Sequence, residues 1–276
     1  MTQQVIDRTG LDLGAVKRRQ QATWASGNYA AVGSRIASVA EQLADSADLR
    51  AGSLVLDVAT GNGNAAIAAA RRGCDVVGID YVPGLLEHGR KRVEIEGLDV
   101  ALLEGDAEEL QFPDASFDVV TSVFGVMFAP DQQRAASELV RVCRPGGTIA
   151  LASWTPDGYI GEFFRTTAGF ASPPAGLASP FRWGTDDGLR ELLGDGIAML
   201  DVHERTYTFR FRSAEEFVEF FRTWYGPTLK AFESLDEAGR AGLEQALVEL
   251  ARRHNRHGED ALAVDAAYIE AIAIRS

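Results

Sequence analysis

Between Leu54 and Ser153, short apolar runs alternate with helical patterns, and this alternation restricts the chain more than any other feature. Leu54–Val58, Asp75–Asp80, Val100–Glu104, Phe117–Phe124 and Thr148–Ser153 read as strands, each too apolar to leave a face in water. The alanine-rich Ala65–Arg72, Pro83–Glu96 and Asp131–Cys143 read as helices between them, and Arg144-Pro-Gly-Gly147 as a turn. Strands separated by helices join through right-handed crossovers into a parallel sheet covered on both faces. The expected class is α/β, a Rossmann-like doubly wound sheet.

The flanks read differently. Residues 1–14 are polar and glycine-punctuated, a loose leader, and Val16–Asp48 is helical with breaks at Gly27 and Gly33. Residues 155–187 are broken by Gly and Pro, Pro173 and Pro174 among them, but rich in aromatics, including Tyr159, Phe163, Phe164, Phe170, Phe181 and Trp183, as expected of a cap. Ile197–Arg212 alternates like a strand, Glu215–Phe232 and Ala238–Asn255 are helical, and Ala267–Ile274 is a returning strand. The expected division is residues 1–48 as helices over a ligand site and 49–276 as the main domain. Within the latter, 155–195 and 213–255 form the cap.

Composition excludes several partners. Formal charge is −13, from 27 Lys and Arg against 40 Asp and Glu. Nucleic acid and anionic membranes both need a basic surface, so neither is expected as a partner. Cys74 and Cys143 form no disulfide framework, and no zinc-ligand spacing occurs, so no metal is expected. With no apolar signal region or membrane-length run, the cytoplasm is the default location. A homodimer is compatible with the sequence.

The chemistry centres on Val55-Leu-Asp57-Val-Ala59-Thr-Gly61-Asn-Gly63-Asn64, the loop after the first strand. Ligands of open α/β sheets bind at this point, where glycines admit close backbone approach and a helix N-terminus offers free N–H groups. A paired glycine alone suits several nucleotides, and Ala66 satisfies the small-residue position of a dinucleotide fingerprint too. Asp57 separates the readings. A carboxylate before the glycines repels a pyrophosphate but suits a ligand bearing ammonium and sulfonium charges. Asp80, ending the second strand, can accept two ribose hydroxyls in either case.

Val55–Gly63, Gly78-Ile-Asp80, Glu104-Gly-Asp106-Ala107, Phe117-Asp118 and Arg144-Pro-Gly-Gly147 together resemble the ordered motifs of class I S-adenosylmethionine-dependent methyltransferases. They are most similar to the bacterial small-molecule group of ubiquinone/menaquinone-type enzymes. The resemblance spans about residues 50–155 and departs at Ala59-Thr60, where the family more often has Gly-Cys. It implies a seven-stranded, mostly parallel sheet with N-terminal helices and a cap after the fifth strand. It also implies S-adenosyl-L-methionine as donor, S-adenosyl-L-homocysteine as product, and no metal. Asp57, Ala59, Gly61 and Gly63 would line the methionine and ribose portion, and Asp80 would hold the ribose. Tyr81 and Leu85 would pack on adenine, whose amino edge Asp106 and Ala107 would meet. Ser122, Val123 and Phe124 would border the transfer site. Trp24 and Tyr29 would fold over the donor, or serve as ordinary core.

On the acceptor side, Met127, Phe128, Trp154, Phe181, Trp183, Trp224 and Tyr225 are the candidate lining, which points to a small, flat or hydrophobic molecule. Methyl transfer needs alignment and a dry site, and a general base only if the acceptor must lose a proton. His203 and Asp131 are the candidate bases. His203 could face the pocket or solvent, and Asp131 could instead cap the following helix. His88, His254 and His257 read as helix-surface residues. A nucleotide-dependent oxidoreductase is the competing reading, but no tyrosine of Tyr29, Tyr81 and Tyr225 has a lysine four residues on. A non-catalytic adenosylmethionine-binding protein is the other.

Overall fold

A computed structural model describes residues 12–172, 177–258 and 260–276. Residues 1–11 of the expected leader, and Pro173 and Pro174 of the expected cap, lie outside them. In chain order the elements are α1 (Leu13–Trp24), α2 (Tyr29–Arg35), α3 (Ala37–Ser46), β1 (Leu54–Val58), α4 (Asn64–Arg71), β2 (Asp75–Asp80), α5 (Pro83–Glu96), β3 (Val100–Glu104) and β4 (Phe117–Val123). Then follow α6 (Gln132–Val142), β5 (Cys143–Trp154), α7 (Tyr159–Phe170), α8 (Asp186–Leu193), β6 (Ile197–Phe211), α9 (Ala214–Trp224), α10 (Gly226–Glu233), α11 (Glu237–Arg253) and β7 (Leu262–Arg275).

The strands form one seven-stranded sheet in the order β3-β2-β1-β4-β5-β7-β6. The first five pair in parallel, and β7 runs antiparallel between β5 and β6. Alternation sends Leu56, Val58 and Val120 into the larger core and Val55 and Val119 into a second core under α4 and α5. Both faces of the central strands are thus dry, which is why those strands read as nearly unbroken apolar runs, whereas the edge strand β3 leaves Ala101 and Leu103 exposed. Strand order reverses between β1 and β4, and the crevice at their carboxyl ends is the natural ligand position.

Three boundaries differ from the sequence reading. Helix α6 ends at Val142, and Cys143 already pairs with Phe117 as the first residue of β5. Pro145 disfavours helix at the residue before it, so Arg144-Pro-Gly-Gly147 belongs to the strand and is no free-standing turn. The N-terminal helices do break around Gly27, but the second break falls at Ile36, and Gly33 stays helical. The helix expected over Glu215–Phe232 is two helices, because Tyr225 is extended (φ −95°, ψ 106°) and Pro227 sits in the first turn of α10.

That last break brings the cap to the N-terminal helices. Tyr225 bridges Gly27, and Asn28 N–H donates to the Trp224 carbonyl at 3.1 Å. A β-carbon on Gly226 would stand 2.0 Å from the Thr23 carbonyl oxygen, so α10 packs there as closely as glycine permits. Gly226→Ala is expected to destabilise the fold by about 1–3 kcal/mol through overpacking, measured by urea unfolding. Gly169→Ala, whose added carbon meets nothing within 4 Å, should leave stability unchanged or slightly raised.

Candidate active site

Asp57 is the first fixed point. It is 1% exposed, and its carboxylate accepts Thr60 Oγ1 (2.5 Å), Ala66 N–H (3.0 Å) and Thr121 Oγ1 (3.1 Å). Those bonds tie β1 to its loop, to the first turn of α4 and to β4. Burial outweighs them and pushes the carboxyl up to about 6. The loop turns through three left-handed residues, Ala59 (φ 54°), Gly61 (φ 57°) and Gly63 (φ 84°). At Ala59 this conformation costs roughly 1 kcal/mol that glycine would not incur.

Asp80 closes β2 and is also buried, accepting Gly61 N–H and Val82 N–H at 2.9 Å each. Burial raises it too, to about 6. Across the crevice, Ser122 Oγ donates to the Val58 carbonyl and accepts Val126 N–H, which holds the turn after β4. There Phe124 is left-handed (φ 52°), and its ring lies flat on Trp154, centroids 3.8 Å apart. Two residues held in the left-handed region, Ala59 and Phe124, therefore line the same crevice, where such strain is often functional.

These elements line a cleft at the carboxyl ends of β1, β2 and β4. Trp24, Tyr29, Asp57, Ala59, Gly61, Asp80, Tyr81, Leu85, Val123, Phe124 and Phe128 line it, with Asn62 and Asn64; no Lys or Arg stands among its described lining residues. A second cleft, beyond Tyr81, contains Asp106 and Ala107 with Lys17 and Glu108. A third cavity is almost wholly aromatic. It joins Trp24, Tyr29, Phe124 and Phe128 of the first cleft to Trp154, Phe163, Phe164, Phe209, Phe221 and Tyr225.

Other expected site residues lie elsewhere. Gly63 caps α4 and Ser122 is engaged by backbone, so neither lines these cavities. Met127 and Trp183 are buried in the core at 1% and 0% exposure. Phe181 packs on Phe164, and Trp224 is an exposed ring whose carbonyl does the work. His203 is half-exposed on β6, paired with Asp201, and lines none of the three cavities. Asp131 accepts Arg134 N–H as the cap of α6. No group of three or more metal-ligating side chains occurs among the described residues.

Sequence reasoning missed Lys17, Gln21, Asn62 and Glu108. Lys17 reaches Asp106 (2.6 Å) and the buried Glu108 (2.5 Å), while Gln21 donates to the Tyr81 carbonyl (2.5 Å). Burial alone would lower the Lys17 ammonium, but the two carboxylates raise it. Asp106 is thus already engaged on both oxygens, by Lys17 on one and Glu108 N–H on the other, each oxygen keeping a further lone pair. The signal was the helical spacing of Lys17, Gln21 and Trp24, which places all three on one face of α1.

The pattern of the Methyltransferase domain family matches residues 56–151, the segment that carries Asp57, Asp80 and Asp106. An uncharacterized protein of Mycobacterium tuberculosis is 39% identical over 92% of this chain and 94% of its own. A demethylmenaquinone methyltransferase of Thermus thermophilus is 41% identical over 40% of this chain and 52% of its own. In three dimensions the YcgJ protein of Bacillus subtilis superposes with a TM-score of 0.58 at 17% identity, covering 86% of this chain and 97% of that one. With the strand order, the carboxylates at successive strand ends and these likenesses in agreement, the chain belongs to the class I S-adenosylmethionine-dependent methyltransferase family, related to the quinone methyltransferases.

Proposed function

We propose that the protein transfers a methyl group from S-adenosylmethionine to a small, flat, hydrophobic acceptor. One observation carries this reading: an anionic cleft adjoins an aromatic chamber and shares Trp24, Tyr29, Phe124 and Phe128 with it as walls. The cleft suits a nucleoside with positive charge on its amino-acid end. Asp80 would hold the ribose hydroxyls, since each carboxylate oxygen has lone pairs left after accepting one backbone N–H. Tyr81 and Leu85 would pack on adenine, with Asp106 and Ala107 at its amino edge and Lys17 sharing Asp106.

S-adenosylmethionine supplies an activated methyl on a sulfonium that carries its own leaving group. What remains for the chain is alignment and the exclusion of water. The polar atoms of the chamber are the phenols of Tyr29 and Tyr225 and the indoles of Trp24 and Trp154. Burial raises both phenols, Asp80 raises Tyr29 further, and Tyr29 raises Tyr225. They stay protonated at neutral pH and act as hydrogen-bond donors, not as bases. An acceptor that arrives nucleophilic, as a free amine, a phenolate or a stabilised carbanion, fits such a chamber best. A quinone-type ring, the class named in the Thermus relative, is compatible with it. The net charge of −13 favours a small molecule over nucleic acid as partner.

Labelled-methyl transfer over a panel of phenols, quinones and amines tests the reaction. Incorporation into at least one member is expected, with S-adenosylhomocysteine bound in calorimetry and NAD not. Binding of NAD and of neither adenosyl compound would overturn the reading. Asp80→Ala, with its fold checked by circular dichroism, should weaken S-adenosylhomocysteine roughly 100-fold, the loss of two hydrogen bonds to a charged group. The buried carboxyls also set a pH dependence. Asp57 and Asp80 sit near 6 without ligand, and both a cationic ligand and ribose hydroxyls favour their ionised forms. Binding therefore releases protons at low pH, and affinity falls as pH drops through about 6. Calorimetry of S-adenosylmethionine in two buffers of different ionisation enthalpy should show release of up to about one proton per carboxyl near pH 5.5 and almost none at pH 7.

A further inference from the structure

Beyond the cleft and the chamber, the cap carries an apolar furrow on its surface. Helix α7 turns Phe164, Ala168 and Ala171 to it at helical spacing, Pro227 and Ala231 of α10 stand opposite, and Tyr225 completes the wall. The furrow is drier than its composition suggests. Thr23, Thr167 and Ser234 also line it, but their hydroxyls donate to the carbonyls of Arg19 (2.9 Å), Phe163 (2.9 Å) and Ala231 (2.7 Å). Lys230, the one charged group among its described lining residues, is paired with Glu233 at 2.6 Å. A polar ligand finds few free donors here, whereas an apolar one gains by taking carbon surface out of water.

The furrow is continuous with the chamber through its walls. Phe163, Phe164 and Tyr225 line both. Phe163 and Tyr225 are buried, and Phe164 is half-buried. The Phe164 ring stacks on Phe128, centroids 6.1 Å apart, and meets Phe181 edge-on at 5.4 Å. Phe128 in turn lines the donor cleft. A single half-buried ring therefore stands between furrow and chamber, and the donor cleft begins one ring further in.

We infer that Phe164 divides an acceptor site of two parts, in which the reacting ring occupies the chamber and an aliphatic substituent runs past Phe164 into the furrow. This rests on the flat-acceptor reading above and deepens it by giving the acceptor a chain as well as a ring. Phe164 is then a specificity-determining residue, because it sets the width of what can pass. Contacts made in the furrow are remote from the reacting atoms. They hold the ring in line without placing a polar group near the methyl.

The probes are para-alkylphenols from methyl to hexyl, with para-cyclohexylphenol as a wide member of the same carbon number as the hexyl compound. Each is titrated by calorimetry into protein saturated with S-adenosylhomocysteine. In the wild type, affinity should rise by up to about fourfold per methylene once the chain is long enough to pass Phe164. Ala168→Trp, which fills the furrow, should flatten that rise and leave para-methylphenol within about twofold. Phe164→Ala widens the passage and should raise the affinity of the cyclohexyl compound relative to the hexyl one about tenfold, a ratio from which a general loss of packing cancels. A flat chain-length series in the wild type, which needs no variant to fold, would leave the furrow to a protein partner or a second copy of this chain and overturn the proposal. An unchanged slope in Ala168→Trp, or an unchanged ratio in Phe164→Ala, would overturn it too. Binding of S-adenosylhomocysteine with no phenol bound at all would instead remove the flat-acceptor reading, and this proposal with it.

Discussion

A single buried carboxylate holds the site together. Asp57 accepts from Thr60, Ala66 and Thr121, and so joins a strand, a loop, a helix start and the neighbouring strand in one knot. Without it the three left-handed residues of the loop would have little to keep them there, since each such turn is easily lost to extended conformations. Gly61 in turn reaches Asp80 through its N–H, so the second strand end is registered against the first. The charge that gives the cleft its sign is therefore also its scaffold, and its burial is costly enough to raise its proton affinity.

Much of this was legible in the sequence because the relevant patterns are local. Apolar runs buried on both faces fix the parallel strands, and Asp57 and Asp80 fall at strand ends by counting alone. Where helical periodicity and a proline compete, the local pattern misleads: the amphipathic spacing of Leu139, Val142 and Cys143 runs past the true helix end, and that of α9 runs through Gly226-Pro227. Aromatic residues were harder still. Their abundance after Trp154 signals a dry cap, but which of them face a cavity depends on how helices dock, so Phe163, Phe209 and Phe221 line the chamber while Trp183 fills core. Lys17 and Glu108 meet across 91 residues, a contact that no local pattern encodes.

The cap and the N-terminal helices form one aromatic cluster. Trp24 packs edge-on to Tyr29 and Tyr225 at 5.7 and 5.5 Å and tilts against Phe128 at 5.0 Å. Offset and edge-to-face contacts of this kind add about 0.5–1.5 kcal/mol each beyond the area they bury. They also make the chamber's walls from elements far apart in the chain: α1, α2, the turn after β4, β5, α7, β6 and α9.

The rings of Trp24 and Tyr29 belong to both the cleft and the chamber. Two ligands that lean on the same walls would not bind independently, because whatever ordering the first imposes, the second no longer has to supply. Thermodynamic reciprocity then applies: the factor by which one occupant changes the other's affinity is the same in both directions. In this molecule the coupling between the two cavities would thus run through two aromatic side chains.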